Sequence, residues 1–296
     1  GVNIGVNAGK AASGQGAIWI GQDAGGGGAS PTTDSGAVVL GYRAAYNTGG
    51  MNNNVIIGAQ AGENASDLAY SVAIGYQALR ASGARNNVAV GYQAMTAVTT
   101  GGGVAVGYQA LLALTAGTKN TAIGSNALKL ITTGSNNTAI GENAGASLAT
   151  GGSNNIFIGL GAGTSGGNTN LCLGNSAGAG VTGSNNVFIG ANSGSGVLSG
   201  SNNVILGPIS GDFLNNVSGN LLLGNGAGKL MLRFNENGAM SPGSSTTPNY
   251  GSSGAPLIST GTSSAPSWGT PGVTGTFQTA DGKTLVIQNG LVASIS

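Results

Sequence analysis

The 296-residue chain contains 59 glycines, no histidine and one cysteine, and only 6% of its residues are charged, with a formal net charge of +1. The nine lysines and arginines are scattered along the chain, so the charge pattern gives no support to nucleic-acid binding. Without histidine, and with Cys172 alone, an internal disulfide and the usual zinc ligands are excluded, and we expect no cofactor. No stretch approaches the roughly 18 apolar residues of a membrane span, and we expect neither membrane insertion nor a secretion leader.

A glycine recurs along the chain every 15 to 20 residues, most often every 16 or 17. Glycine at this abundance without a Gly-X-Y period, combined with regularly placed aliphatic residues, indicates a repeat protein. We call these residues the anchor glycines. They are Gly5, Gly21, Gly41, Gly58, Gly75, Gly91, Gly107, Gly124, Gly141, Gly159, Gly174, Gly190, Gly207 and Gly224.

Each anchor glycine ends a short apolar segment. The residue directly before it is aliphatic in every copy, and the residue three before it is aliphatic in all copies except those with Thr121 and Thr138. This alternation predicts a strand whose first and third side chains face a common core. Three residues after the glycine the side chain is always alanine or serine, as at Ala127, which predicts a tight corner.

Asparagine stands four residues before nine of the anchor glycines, and Asn or Gln is frequent two residues after them. Two interpretations stay open. The amides can form hydrogen-bonded ladders along a stack of coils, or asparagine can serve at turns because it tolerates a left-handed backbone. The nine residues are Asn54, Asn87, Asn120, Asn137, Asn155, Asn170, Asn186, Asn203 and Asn220.

A repeat of 16 or 17 residues is too short for a helical repeat or a propeller blade, and it suits one coil of a narrow parallel β-roll. We therefore predict an all-β fold, a parallel β-roll (β-solenoid) of about 14 coils over residues 1–230. At roughly 4.8 Å per coil, such a rod would be on the order of 65 Å long.

From Ala73 to Leu222, the middle residue of each strand, two before the glycine, is also apolar, and alternation would direct it away from the core. A continuous apolar strip on a rod is best buried by symmetric association, so these residues predict a homotrimer interface, the alternative being a flattened roll that buries both strand faces itself. The change from alanine to phenylalanine after Ala139 predicts chains that lie further apart beyond it. The predicted interface residues are Ala73, Ala89, Ala105, Ala122, Ala139, Phe157, Cys172, Phe188, Ile205 and Leu222.

The units at residues 71–75, 120–124 and 137–141, with the sequences SVAIG, NTAIG and NTAIG, resemble the repeat in the head domain of trimeric autotransporter adhesins. They also resemble related repeats in bacteriophage tail fibres and virion appendages. The resemblance covers residues 1 to about 230 and implies a left-handed parallel β-roll that trimerises. The repeat here is longer than that family's common unit, and we expect no heptad stalk or membrane-anchoring barrel after it.

The composition changes after the repeats. Residues 231–272, rich in Ser, Gly, Pro and Thr, predict an extended connector, and part of this segment resembles connectors of phage fibre and virion proteins. Residues 273–296 predict a C-terminal β-meander, because three strand-like segments are separated by Asp281-Gly282 and Asn289-Gly290 turns. Three such short strands need a partner to pack against, so this tail is a candidate knob or attachment point.

We expect no enzymatic activity. Glycan-cleaving fibre proteins need paired carboxylates, and the one plausible nearby pair, Glu63 and Asp67 in the same coil, is better explained by solvent-facing turns. Tyrosine follows the anchor glycine in four coils, which predicts an aromatic column. It either contacts glycans or, as the more common use of such a column, shields the edge of the roll or the groove between chains of a trimer. Its members are Tyr42, Tyr76, Tyr92 and Tyr108.

Three functions are compatible with these observations. We favour a structural fibre of a virion, such as a phage tail or head fibre, in which a homotrimeric rod contacts other virion proteins through one end and serves host attachment or spacing. The first alternative is the head domain of a bacterial adhesin, located on the cell surface. A depolymerase tailspike is the least favoured, because carboxylates are scarce and histidine is absent.

Overall fold

The parallel β-solenoid predicted from the repeats is confirmed. In the computed structural model, strands β1 to β14 pair in parallel and strictly in chain order, and no helix occurs in the described residues. Each strand aligns with the equivalent three residues of the next coil, as Val104 does with Thr121. The structure describes residues 1–10, 16–27, 35–148, 151–163, 165, 167–197, 199–211, 217–242, 257–258, 267–268, 275–278, 283–288 and 291–295.

One strand of three or four residues per coil forms the ladder, and turns make up the rest of the coil. The strands are β1 Val2–Ile4, β2 Ile18–Ile20, β3 Val38–Leu40, β4 Val55–Ile57, β5 Val72–Ile74, β6 Val88–Val90, β7 Val104–Val106, β8 Thr121–Ile123, β9 Thr138–Ile140, β10 Ile156–Ile158, β11 Leu171–Leu173, β12 Val187–Ile189, β13 Val204–Leu206 and β14 Leu221–Gly224.

The anchor glycine is required by two independent constraints, which Gly124 illustrates. Its φ of +136° lies in a region that only glycine adopts readily. A Cβ at this position would also lie 2.4 Å from the carbonyl oxygen of Gly141 in the next coil. Successive coils therefore approach each other backbone to backbone at this point, which explains the strict recurrence of glycine.

The direction in which the strand residues face was predicted wrongly. The middle residue of each strand points into the core, so that Phe157 and Phe188 are fully buried within one chain. The first and third residues instead remain partly open to solvent, and Ile140, for example, is 38% exposed. Alternation defines which residues share a face, but both faces of these strands are apolar, and the pattern cannot say which face is internal.

The core has two compensating columns, one formed by the middle strand residue and one by the residue four after the anchor glycine. In four of the five coils whose middle strand residue is alanine, the second column supplies a large buried side chain, as Leu128 does beside Ala122. The exception is the coil of Ala139, where the second column has Gly145 and an added Cβ would lie 2.8 Å from Cδ2 of Phe157 in the next coil. Where the strand supplies Phe157, the second column has Gly163, whose added Cβ would lie 2.1 Å from the phenyl ring. The alanine-to-phenylalanine change therefore keeps the volume of the coil's own core filled and does not indicate greater separation between chains.

Corner alanines complete this core, as predicted for the column three after the anchor glycine. Ala127 and Ala144 are fully buried, and each N–H bonds back to the carbonyl of its own anchor glycine. A larger side chain would have no room to enter, because the corner lies between two coils.

The ladder interpretation of the asparagine column is correct. From Asn120 onward the side chains form a buried ladder, in which the amide Nδ2 of Asn137 donates to Oδ1 of Asn120 at 3.0 Å and its backbone N–H donates to the same oxygen. The left-handed turn conformation belongs to the preceding residue, as at Asn136 with φ +58°. Both proposed uses of asparagine are thus present, at adjacent positions.

The sheet continues beyond residue 230, so the predicted boundary with the connector is wrong. Strand β15, Leu230–Phe234, turns back and pairs antiparallel with β14, and β16, Met240–Pro242, pairs with β15. Arg233 on β15 is 92% buried and donates from Nε and Nη2 to Oδ1 of Asn220 at 3.1 and 2.9 Å. Within the ladder, the Oδ1 of each asparagine accepts from an asparagine of the next coil, as Oδ1 of Asn203 does from Asn220. Arg233 takes the place of that donor at the last rung, so it caps the asparagine ladder.

Replacing Arg233 by methionine, which keeps the length of the side chain, should loosen the last coils. Oδ1 of Asn220 would lose both arginine donors in a buried setting, a loss of about 1–3 kcal/mol. We expect the amides of Asn203 and Asn220 to exchange faster with deuterium, while those of Asn120 and Asn137 are unchanged. Equal protection of both regions in the variant and the wild-type protein would contradict this capping role.

The described C-terminal strands include the predicted meander. β17, Leu257–Ile258, pairs antiparallel with β18, Ser267–Trp268. β19, Gly275–Gln278, β20, Thr284–Gln288, and β21, Leu291–Ile295, form a three-stranded antiparallel sheet. The two predicted turn dipeptides and most of the predicted connector lie outside the described residues.

Candidate functional surfaces

The first and third residues of the strands form a continuous apolar surface along one side of the solenoid. We call it the outer apolar face. Its residues are aliphatic except the two threonines of β8 and β9, and every one of them is at least partly exposed in the chain. The most exposed of them, between 37% and 56%, are Val2, Ile4, Ile18, Val38, Leu40, Ile123, Ile140, Ile156, Leu173 and Leu206.

The residues predicted to line a chain-to-chain interface are not on this face, and that assignment is wrong. None of the ten is more than 1% exposed, because each belongs to the hydrophobic core of its own chain. The alternative of a roll that buries both strand faces is excluded as well, since the outer apolar face stays open. The ten are Ala73, Ala89, Ala105, Ala122, Ala139, Phe157, Cys172, Phe188, Ile205 and Leu222.

Cys172 is one of these core residues. Burial raises the pKa of its thiol to about 12, so the thiolate is scarce at neutral pH. Its surroundings are those of a small apolar side chain, next to Gly178, whose added Cβ would lie 2.5 Å from the sulfur. This matches the prediction of an apolar filler with low reactivity.

The predicted aromatic column exists. The rings of Tyr76 and Tyr92, and those of Tyr92 and Tyr108, stack with centroids 5.3 Å apart and interplanar angles of 20° and 10°. All three side chains, and Tyr42 at the equivalent position two coils earlier, are 41–49% exposed. The column therefore presents ring edges and its end faces to solvent.

A glutamine ladder runs beside the tyrosines and fixes their spacing. Nε2 of Gln77 donates to Oε1 of Gln60 at 3.0 Å, and the same bond links Gln93 to Gln77 at 2.8 Å and Gln109 to Gln93 at 2.9 Å. These residues adopt positive φ, as Gln77 does at +57°. The backbone that carries each tyrosine is thus held in register with the next coil by backbone hydrogen bonds and by the adjacent glutamine ladder.

The two carboxylates considered for catalysis are each held by arginine. Glu63 is 99% buried, and its two oxygens pair with Nη2 of Arg43 at 2.9 Å and Nε of Arg80 at 3.1 Å, so one carboxylate links three successive coils. Asp67 accepts a hydrogen bond from Nε of Arg85. Because Glu63 is buried, removing either arginine would leave part of its charge uncompensated, which is strongly destabilising.

An open groove of about 530 Å³ lies beside this cluster, lined by Asp67, Arg85, Asn86, Thr99, Thr118 and Lys119 among others. Asp67 is the acidic residue of the lining, and its partner Arg85 is in the same groove. Glu63 does not line it. The structure thus does not bring the two predicted carboxylates together in this groove.

Within the described residues, no group of three or more His, Cys, Asp or Glu side chains is placed to bind a metal ion. The same part of the chain contains no helix with the length and apolarity needed to cross a bilayer. Comparisons with protein-family models, with curated proteins and with solved structures found no match for this chain.

Proposed function

We propose that the protein is a non-enzymatic structural component of a virion fibre, a rigid homotrimeric rod that serves attachment or spacing. The observation that carries this proposal is the outer apolar face, a long unpartnered strip on an otherwise self-contained solenoid. Within one chain the strands are paired and the core is closed, so burial of this strip is not needed to form the solenoid. Its aliphatic residues are explained by contact with further copies of the chain.

The size of the outer apolar face fits an interface. Fourteen strands at roughly 4.8 Å, each three residues or about 10 Å long, give a strip on the order of 650 Å². A stable protein interface buries about 800 Å² on each partner, so this face with its flanking turn residues is of the right order. The three-fold arrangement follows from the resemblance to trimeric adhesin heads and phage fibres, in which three rolls share an axis.

Rigidity along the rod supports a mechanical role. Side-chain ladders run parallel to the backbone ladder on two sides, one of buried asparagines ending at Asn220 and one of glutamines through Gln93. The Glu63 bridge ties three coils together. Bending the rod would distort these bonds, and stacked amide ladders of this kind add to the stability of cross-β structures.

The proposal is tested by placing charge on the outer apolar face. A double variant, Ile123→Lys and Ile140→Lys, should convert the trimer to monomers in sedimentation velocity, because three pairs of lysines would face each other across the axis. The far-ultraviolet circular dichroism should stay unchanged, because both positions are 38–39% exposed within the chain. The matched control is Leu130→Lys, an exposed leucine outside the strands, which should remain trimeric.

Assembly that survives the double substitution would contradict an interface at this face.

The non-enzymatic part of the proposal has its own test. Release of reducing ends from bacterial capsular polysaccharide or lipopolysaccharide, dependent on the carboxylate of Glu63 or Asp67, would overturn it.

A further inference from the structure

The tyrosine column has a gap at one coil. Tyr42 and Tyr76 both follow an anchor glycine, but the coil between them carries Ala59 at this position. The backbone ladder passes through all three without interruption, because the N–H of Gln60 donates to the carbonyl of Tyr42 at 2.9 Å and that of Gln77 to the carbonyl of Ala59 at 3.1 Å. Ala59 therefore occupies a ring position and supplies no ring.

The gap is two coils wide, about 9.6 Å at the usual strand spacing. A group inserted between two rings contacts each at about 3.5–4.0 Å, so a flat aromatic ring would use roughly 7–8 Å of it. A pyranose ring in its chair form is thicker, because its axial C–H bonds project from both faces. The width therefore suits a sugar ring better than a planar one.

We propose that Tyr42, Ala59 and Tyr76 form a slot that binds one pyranose ring of a neutral hexose. The aliphatic C–H faces of the sugar would contact the negative π faces of the two tyrosines, with Ala59 as the floor. Gln60 directly follows Ala59 in the chain, and its side-chain amide would supply the donor that a sugar hydroxyl requires, since only its oxygen is used in the glutamine ladder. The slot rests on the proposed attachment role and names neutral hexoses as the class of ligand. Because all three residues belong to one chain, the slot does not depend on trimer formation.

The test uses saturation-transfer difference NMR with methyl β-D-glucopyranoside and methyl β-D-galactopyranoside, run in parallel on the full chain. We expect transfer to the ring protons of at least one glycoside, with a dissociation constant on the order of millimolar. Sorbitol, which has the hydroxyls without a ring, should show none. Sedimentation of each sample reports assembly separately, so a failure of the slot and a failure of the trimer are distinguishable.

The decisive variant is Ala59→Tyr, which completes the column with the residue that three later coils already carry. It should leave the circular dichroism unchanged and abolish glycoside binding. Tyr42→Leu and Tyr76→Leu, which keep an apolar side chain but no ring face, should each weaken binding about 2- to 12-fold. Tyr108→Leu, outside the slot, should have no effect. Equal binding by Ala59→Tyr and the wild-type protein, or no glycoside binding by the wild-type protein, would overturn the proposal.

Discussion

Replacing Gly124 by alanine is expected to cause one of the largest losses of stability that a single methyl group can cause in this protein. The new Cβ would lie 2.4 Å from the carbonyl oxygen and 2.6 Å from the carbonyl carbon of Gly141, both backbone atoms fixed by their own coil. The φ of +136° adds backbone strain for any residue with a Cβ. Together these effects should destabilise the fold by more than about 3 kcal/mol.

Thermal unfolding followed by circular dichroism measures this loss. Gly226→Ala is the matched control, because no atom lies within 4 Å of its added Cβ and its φ is not in the left-handed region. Gly102→Ala separates the two causes, since it has a positive φ of +86° but open space around the Cβ. The unfolding temperatures should rank Gly124→Ala lowest, Gly102→Ala intermediate and Gly226→Ala nearest to wild type. Equal temperatures for all three would contradict the close approach of the coils.

The second large effect is expected at Phe157. Truncation to alanine should leave a cavity in the core and cost about 3–5 kcal/mol. Gly163→Leu alone should also be strongly destabilising, because its Cβ would lie 2.1 Å from Cδ1 of Phe157. The double variant, however, recreates the alanine and leucine combination of Ala122 and Leu128, and Gly163 already has the left-handed φ of +57° that Leu128 adopts at +50°.

The double variant should therefore recover most of the stability that either single variant loses. A double-mutant cycle on the free energy of unfolding would give a large coupling of favourable sign. Additive losses would show that the two columns do not fill one space. If Phe157→Ala alone weakened the association of chains before any coil unfolded, that result would instead place Phe157 at an interface between chains.

The parallel pairing of the repeats was predictable, because it depends on a local pattern that recurs in every coil. The C-terminal meander was predictable because its apolar segments are separated by turn dipeptides. The direction of the strand faces was not, since the first, middle and third strand residues are all apolar. The information was nevertheless present in a second column: a large residue four after the glycine, such as Leu79, accompanies Ala73, whereas glycine accompanies Trp19 and Phe188. Only a core that both columns share explains this exchange of volume.

The error about the interface came from the same source. Cover was sought for the middle strand residue, whereas the surface that needs cover is formed by residues such as Ile123 and Ile140. The cap at Arg233 was missed because its contact with Asn220 depends on a reversal of chain direction after Gly224. Composition placed that segment with the connector, and no local pattern marks a strand that turns back on the stack.

The mass of the wild-type particle in solution tests the central claim most directly. Light scattering coupled to size-exclusion chromatography, over a micromolar concentration series, should give about three times the 28.2 kDa mass of the chain. Small-angle X-ray scattering of the same samples should show an elongated particle. This is the result expected if the outer apolar face joins three rods. A particle of 28.2 kDa at every concentration would show that the face stays open in solution, and it would contradict the homotrimeric rod.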